Sequence, residues 1–473
     1  MPKIGIDLVY LAMEGSADYL VADEMNYKMK LVPQLGFQYL SGTLRSTGRP
    51  CRIFDQPVLR FGQQKLFSDL AANPDRAVGF YCDSFLKPKV IDWIRALRQA
   101  GSDKSILVGG PGAFGAEDYL KAGADIVAHG EGERTIIEIA EVLEGTRERD
   151  ALRGVSYRHD NEIIHTDLQN PITDLDHIPL PDRDQYPISL YRDFHMFPMR
   201  IPFASMLASR GCPNQCTFCS SPAIWGRQVR VRTPENVAAE IDHLITRYGV
   251  RFVGFKDDVF PIKPGWLDAF HDEMMRRKSP VRFSCNIHPY SYRRRRAESM
   301  KMLAEAGCRL IVAGLQSVDP TVLQNIRRHK DEPEELMETV RVAKKQGIAI
   351  VAEFIFGLPG DNRTSWQGAV DWAKKARPHY ALYYSLSKLE GSDIERQYRD
   401  RAVTEFSEAE IRDACAKAQR TFFTNPRTIL RDIWFVLRRN PSWLVHIARN
   451  LPYLVNSLGI KLRRGQGQKV VEQ

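Results

Sequence analysis

Short apolar runs alternate with segments whose apolar positions recur at helical spacing. The alternation occurs twice, once on each side of a proline-rich stretch. In the first round, residues 4–11, 51–54, 77–81, 105–109 and 126–128 read as strands. Helices are expected over 36–47, closed by Gly48, over about 89–100, and from 133 to 143. Strands alternating with helices bury both faces of a parallel sheet, so residues 1–150 are expected to form a doubly wound, Rossmann-like α/β domain. Two strand ends are rich in glycine, Gly109-Gly110-Pro111-Gly112 and Gly130-Glu131-Gly132-Glu133. In such sheets ligands bind at the carboxyl ends of the strands, where small residues let them approach the backbone.

Residues 151–198 break the rhythm. The runs 154–158 and 162–166 could pair as a hairpin, and Pro171, Pro179, Pro181, Pro187 and Pro198 follow. Prolines at that density exclude a core helix or a central strand, leaving an ordered linker. In the second round the strand-like runs are 203–207, 252–255, 281–286, 310–314, 349–356 and 380–386. Helices are expected over 234–248, after Thr233 with Pro234 in the first turn, and over 265–277, 294–306, 333–346 and 365–375. Six strand–helix units are too few for a complete eight-unit barrel, so residues 199–400 are expected to form a partial (β/α)6 barrel. Residues 401–473 read as a helical extension.

With 473 residues, 43% hydrophobic and 26% charged, the chain is ordinary for two or three globular domains. The net charge of +9 is concentrated at one end, where residues 420–473 hold ten Lys and Arg against two acids. Basic residues there stand beside Phe422, Phe423, Trp434, Phe435, Trp443 and Tyr453. Such a stretch suits either a helical cap on the barrel or a segment lying on a membrane surface. Nucleic acid, the rival use of arginine beside aromatics, is not expected as a partner. The chain opens Met1-Pro2-Lys3 and runs into a strand, without a secretory signal or an apolar stretch of membrane-spanning length. Five scattered cysteines fit reduced thiols, and the expected location is the cytoplasm; the membrane alternative for the tail would place the protein on the cytoplasmic face.

The remaining three of the eight cysteines change the picture. Cys212, Cys216 and Cys219 lie within eight residues, just after a strand. An odd set so close together is a poor disulfide framework. Soft thiolates on a tight loop suit zinc or an iron–sulfur cluster. Zinc would want a fourth ligand at similar spacing. The next histidine is His243 and the next cysteine Cys285, neither in a paired motif. Three ligands for a four-iron cluster leave one iron open to a substrate.

The spacing Cys-x3-Cys-x2-Cys, with Phe218 before the last cysteine, resembles the cluster motif of the radical SAM enzymes. The resemblance implies a 4Fe–4S cluster whose open iron binds S-adenosylmethionine, cleaved on reduction to methionine and a 5′-deoxyadenosyl radical. Lys256-Asp257-Asp258-Val259-Phe260 stands where the family meets the amino group of S-adenosylmethionine, which makes Asp257 and Asp258 candidates. Gly314-Leu315-Gln316-Ser317 resembles a Gly-x-Glu-Ser turn, with Gln316 in place of the acid. Gly357-Leu358-Pro359-Gly360 and Glu390-Gly391-Ser392 resemble further turns of the family.

Upstream, Pro33-Gln34-Leu35-Gly36, Tyr39-Leu40, Gly109-Gly110-Pro111 and Gly130-Glu131-Gly132-Glu133 resemble signposts of the cobalamin-binding domain that precedes many of these enzymes. By that resemblance Gly109, Gly110, Gly130 and Glu131 would line the corrin pocket. The motif Asp-x-His-x-x-Gly is absent, and His129, the only histidine before residue 150, reads as a loop residue. The implied activity is a cobalamin-dependent methylation of an unactivated carbon, on a hydrophobic small molecule such as a hopanoid lipid. Flavodoxin or ferredoxin would supply electrons. An oxidative cyclase or rearrangement enzyme of the same architecture is the alternative, and a non-catalytic corrinoid- or metal-binding protein the alternative of another class.

Overall fold

The computed structural model describes residues 3–12, 30–160, 162–193, 202–261, 263–328, 333–426, 428 and 430. Two sheets organise it. The first contains β1 (Gly5–Tyr10), β2 (Cys51–Asp55), β3 (Arg76–Tyr81), β4 (Ile106–Gly109) and β5 (Ile126–Ala128), all parallel, in the spatial order β2-β1-β3-β4-β5. Alternate residues of each strand face opposite layers. Ile6 and Leu8 pack with α1 (Leu35–Ser46), whereas Val9 joins the layer of α2 (Gln63–Ala71), α3 (Lys87–Gln99) and α4 (Ala116–Ala122). A further helix, α5 (Gly132–Leu143), lies beside α1. This is the expected doubly wound arrangement. Its strand order reverses between β1 and β3, which opens a crevice at their carboxyl ends.

The hairpin expected within the linker extends this sheet instead. β6 (Val155–His159) and β7 (Glu162–His165) pair antiparallel beyond β5 and cover its open edge. A chain of hydrogen bonds, His129 Nε2 to Ser156 Oγ at 2.7 Å and Ser156 Oγ to His165 Nδ1 at 2.7 Å, crosses the three strands. His129 is therefore a structural residue of the sheet.

The prolines that follow are riveted to both halves of the chain. Asp182 Oδ2 accepts from Ser41 Oγ of α1 (2.7 Å), and Leu180 lies so close to Gly42 that a side chain there would meet its carbonyl oxygen. The next residue, Arg183, points the other way and is fully buried, donating to Ser205 O (2.9 Å) and Glu240 Oε1 (2.6 Å).

The second sheet holds β8 (Phe203–Met206), β9 (Phe252–Phe255), β10 (Arg282–Ile287), β11 (Cys308–Gln316), β12 (Ala349–Phe356) and β13 (Tyr380–Ser385), parallel and in sequential order. Between β8 and β9 come α6 (Ser221–Trp225) and α7 (Pro234–Tyr248). Then α8 (Trp266–Arg276), α9 (Arg296–Ala306), α10 (Pro333–Lys345) and α11 (Arg363–Ala376) fill the later connections. The convex side forms the main core with α7 to α11, centred on Phe255, Phe260, Phe270 and Phe283. This is the expected partial (β/α)6 barrel. Its last strand is covered by α12 (Glu408–Phe423), whose Gln419 Oε1 accepts the Tyr383 N–H at 3.1 Å. The basic, aromatic tail beyond residue 430 lies outside the described residues.

The concave side has a gradient. Leu310, Val312, Ala349 and Val351 fill its lower part, with Tyr380 and Leu382 packed against them. Toward the carboxyl ends the same side carries Lys256, Asn286, Gln316, Glu353 and Tyr384, none of them in the main core.

Candidate active site

The cysteine loop begins at the carboxyl end of β8, where barrels carry their reactive groups. Three devices fix its entrance. Asp257, 1% exposed at the end of β9, accepts the Ala208 N–H (3.0 Å) and the Ser209 hydroxyl (2.6 Å) on Oδ1. Ser209–Arg210 forms a two-residue antiparallel ladder with Arg230–Val231. At the next residue, Gly211, φ is +88°, and a Cβ would run into the carbonyl oxygen of Gln228. Only glycine meets both demands without strain.

The far side of the loop is held by segments that follow later strands of the barrel. The Thr217 N–H donates to Ile326 O (3.3 Å), and Thr217 O accepts from Ile394 N (2.9 Å). Phe218 packs against the buried cluster of Val322, Leu323, Ile326, Leu358 and Ile394. The aromatic residue before the last cysteine is thus a packing anchor. It also brings the Gly357-Leu358-Pro359-Gly360 and Glu390-Gly391-Ser392 stretches to the loop.

None of the three cysteines is in a disulfide, and all three are half-buried. The Asn214 side-chain amide lies 3.5 Å from Cys212 Sγ. Burial pushes the Cys219 thiol up to about 11, and the charges of Asp258, Cys216 and Cys212 act in the same direction. Three thiolates so placed need a cation among them, as a polynuclear iron centre would supply. Among the described residues no three His, Cys, Asp or Glu side chains converge as the ligands of one metal ion would. Three cysteines on one tight loop are a donor set of the chemistry that an iron–sulfur cluster takes.

The two neighbouring aspartates have separate surroundings. Burial raises the Asp257 carboxyl to about 7, opposed by its bonds to Ser209 and Ala208, and its oxygens face the loop backbone. Asp258 is exposed, takes the Ser221 hydroxyl on Oδ2, and is raised by partial desolvation. Its charge is felt at both Cys212 and Cys219. Of the pair, Asp258 is the one that offers a carboxylate to a ligand beside the cysteines. Gln316 sits in a left-handed conformation, φ +70°, at a register shift of β11 against β12. Its side chain folds back over Gly314. A non-glycine residue held there stores strain of about 1–3 kcal/mol, of the kind that clusters at functional sites.

Sequence reasoning passed over Arg328 and His288. Arg328, 6% exposed, donates through Nη2 to Gly314 O (2.8 Å) and lies 2.9 Å from His288 Nε2. Burial and this guanidinium hold His288 neutral, lowering it to about 3. Arg328 also acts on Cys212, easing its thiolate. No local motif marks either residue; only the fold brings them to the loop.

The glycine-rich ends of the first sheet face this region. Gly130 approaches Ile224 O of α6 at 3.8 Å from its Cβ position, and Gly391 lies against Phe114 and Ala223. Lys87 Nζ joins Glu390 Oε1 (2.8 Å) across the boundary and Asp118 Oδ2 (2.9 Å) on its own side. In the crevice between β1 and β3, Tyr10 and Tyr81 meet edge-on at 5.4 Å, and Phe37 meets Tyr81 at 6.1 Å. Gly110 (φ +117°) and Gly112 press on the Cys82–Asp83 backbone, so their small size serves the packing of the sheet's own loops. Among the described residues, Gly109 has only Ala128 within ordinary contact of its Cβ position.

The Glu131 side chain is buried. It forms ion pairs with Arg210 (3.0 Å) and Arg230 (2.5 Å), and Glu133 takes the other edge of Arg210. The Gly130-Glu131-Gly132-Glu133 turn thus grips the segment that leads into the cysteines. Leaving one member of such a buried set unpaired costs about 3–5 kcal/mol.

Comparison with known proteins agrees with this geometry. Residues 206–373 match the family model described as the radical SAM superfamily. An uncharacterised methyltransferase of Pyrococcus horikoshii is 24% identical over 445 residues, 88% of this chain and 94% of that protein. A hopanoid C-2 methylase of Rhodopseudomonas palustris is 31% identical over 160 residues, 33% of this chain and 30% of its own length. Among solved structures, the radical S-adenosylmethionine methyltransferase TsrM of Kitasatospora setae, with cobalamin and a 4Fe–4S cluster bound, superposes with a TM-score of 0.66 at 18% identity. That match covers 83% of this chain and 74% of TsrM. Residues 206–373 are a radical SAM domain, and the chain shares the fold of TsrM over 83% of its length.

Proposed function

We propose that the protein is a cobalamin-dependent radical SAM methyltransferase that methylates an unactivated carbon of a hydrophobic small molecule, with a hopanoid-like lipid as the leading substrate. The observation that carries the reading is the placement of three half-buried cysteines on the loop after the first barrel strand, under the glycine-rich strand ends of a doubly wound sheet. The matched methyltransferases and TsrM, which is described with both cofactors, support it.

When bound, the cluster supplies the electron that splits S-adenosylmethionine, and cobalamin supplies a methyl group to a substrate carbon radical. Cys212, Cys216 and Cys219 would hold three irons of the cluster. Asp258, beside two of these cysteines, would accept N–H groups of the S-adenosylmethionine ammonium. Asp257 holds the loop backbone in place, and Gln316 presents an amide at the same rim. The first sheet would hold cobalamin at the carboxyl ends of its strands, with Gly109 and Gly130 allowing close approach and Tyr10, Tyr81 and Phe37 keeping water out. His129, tied to Ser156, is not offered to cobalt. A one-electron donor such as flavodoxin or ferredoxin would feed the cluster. Contact with a membrane would fall to the basic, aromatic region from about residue 420, which beyond residue 430 lies outside the described part.

Lipid extracts of a strain lacking the protein test the reading. Mass spectrometry is expected to show loss of a lipid 14 mass units heavier than a retained precursor, the mass of one added CH₂. Unchanged lipids, with a cyclised product missing instead, would favour an oxidative cyclase.

A further inference from the structure

We propose that Arg210 is a positioning residue, through which the N-terminal domain sets the conformation of the cysteine loop. The inference rests on reading that loop as the cluster loop. Arg210 stands two residues before Cys212. Its guanidinium reaches across the domain boundary, with Nη1 on Glu131 Oε2 (3.0 Å) and Glu133 Oε2 (3.1 Å), and Nη2 on Glu133 Oε1. It also lies over the ring of Tyr39 in α1 at 5.3 Å and of Trp225 in α6 at 4.8 Å. Arg230, the ladder partner of Arg210, closes the set on the other oxygen of Glu131 at 2.5 Å. The four side chains are 3%, 5%, 9% and 4% exposed for Arg210, Glu131, Glu133 and Arg230.

Two cations and two anions cancel, so the set is neutral and shielded from water, and its geometry is stiff. The acids stand at the start of α5, immediately after β5, at the carboxyl end of the sheet where a cofactor would bind. A shift of that turn is carried to Arg210 and two residues on to Cys212. Only a planar, forked cation can serve two carboxylates while stacking on two rings, so lysine keeps the charge and loses the fit.

Full-length wild type, Arg210→Lys and Glu133→Gln, each with reconstituted iron and sulfide, test this. Arg49→Lys is the control, because Arg49 makes an equally buried two-pronged pair with Glu144 inside the N-terminal domain. The readouts are iron content, the electron paramagnetic resonance spectrum of the dithionite-reduced cluster with S-adenosylmethionine, and 5′-deoxyadenosine release. Arg210→Lys and Glu133→Gln are expected to retain iron, to show altered g values with S-adenosylmethionine, and to release product about 10- to 100-fold more slowly. Arg49→Lys is expected to keep the wild-type spectrum and rate. Wild-type spectra and rates in Arg210→Lys and Glu133→Gln, or the same losses in Arg49→Lys, would overturn the inference alone. A wild-type chain with no cluster signal would overturn the proposed function along with it.

Discussion

Asp257 and Asp258 are adjacent in sequence and similar in chemistry, yet they face different partners. One is walled in and spends its oxygens on Ala208 and Ser209; the other stays open beside Cys212 and Cys219. The sequence marks the pair as candidates and cannot divide the labour, because burial comes from residues distant in the chain. The same holds for Glu131, whose motif is legible and whose partners Arg210 and Arg230 are not. His129 gives a residue-scale prediction. Burial, with His165 nearby, lowers its imidazole from 6.5 to about 4. A base whose folded value is depressed lends stability that is intact above its unfolded value and lost as the pH falls toward the folded one. The window is therefore pH 6.5 down to 4, and the loss is at most about 3 kcal/mol. Melting curves between pH 7.5 and 4.5 are expected to show a smaller acid-side loss in His129→Asn than in wild type. An unchanged slope would mean that His129 takes up its proton without disturbing the Ser156 bridge.

At the scale of elements, periodicity made most strands and helices legible. The strands of both sheets were marked by apolar runs that the fold buries on two faces. The helix α2 was not, since its nine residues carry only Leu66, Phe67 and Leu70 as large apolar groups. The β6–β7 hairpin was seen as a hairpin, but its place on the edge of β5 depends on pairing that no local pattern announces. In the cysteine loop the thiols were plain and their supports were hidden, because Asp257, Gln228, Ile326 and Ile394 lie far along the chain. Gly211 tests the supports. Gly211→Ala would force an alanine to φ +88° and push its methyl into Gln228 O, a cost of about 1–3 kcal/mol for the backbone alone. The variant is expected to melt lower and to bind clearly less iron per chain after reconstitution. Full iron content with an unchanged melting curve would show that the loop is not held as described.

Across the whole molecule, two sheets present their carboxyl ends to one another, and the cysteine loop lies at the boundary. The linker residues Asp182 and Arg183, the Lys87–Glu390 pair and the Arg210 set hold the halves together with polar contacts. The two-domain order was legible from the repeated alternation of strand and helix, whereas the facing of the two ends was not. Such an arrangement suits one cofactor held by each half with the substrate between them. The most direct measurement is anaerobic reconstitution of the full chain with iron, sulfide and hydroxocobalamin, then addition of S-adenosylmethionine and dithionite and quantification of 5′-deoxyadenosine. The account predicts release by wild type, none by Cys216→Ala, and retained corrinoid absorbance in both proteins after gel filtration. Equal release by wild type and Cys216→Ala, or no release by a wild-type chain that holds its cluster, would contradict it.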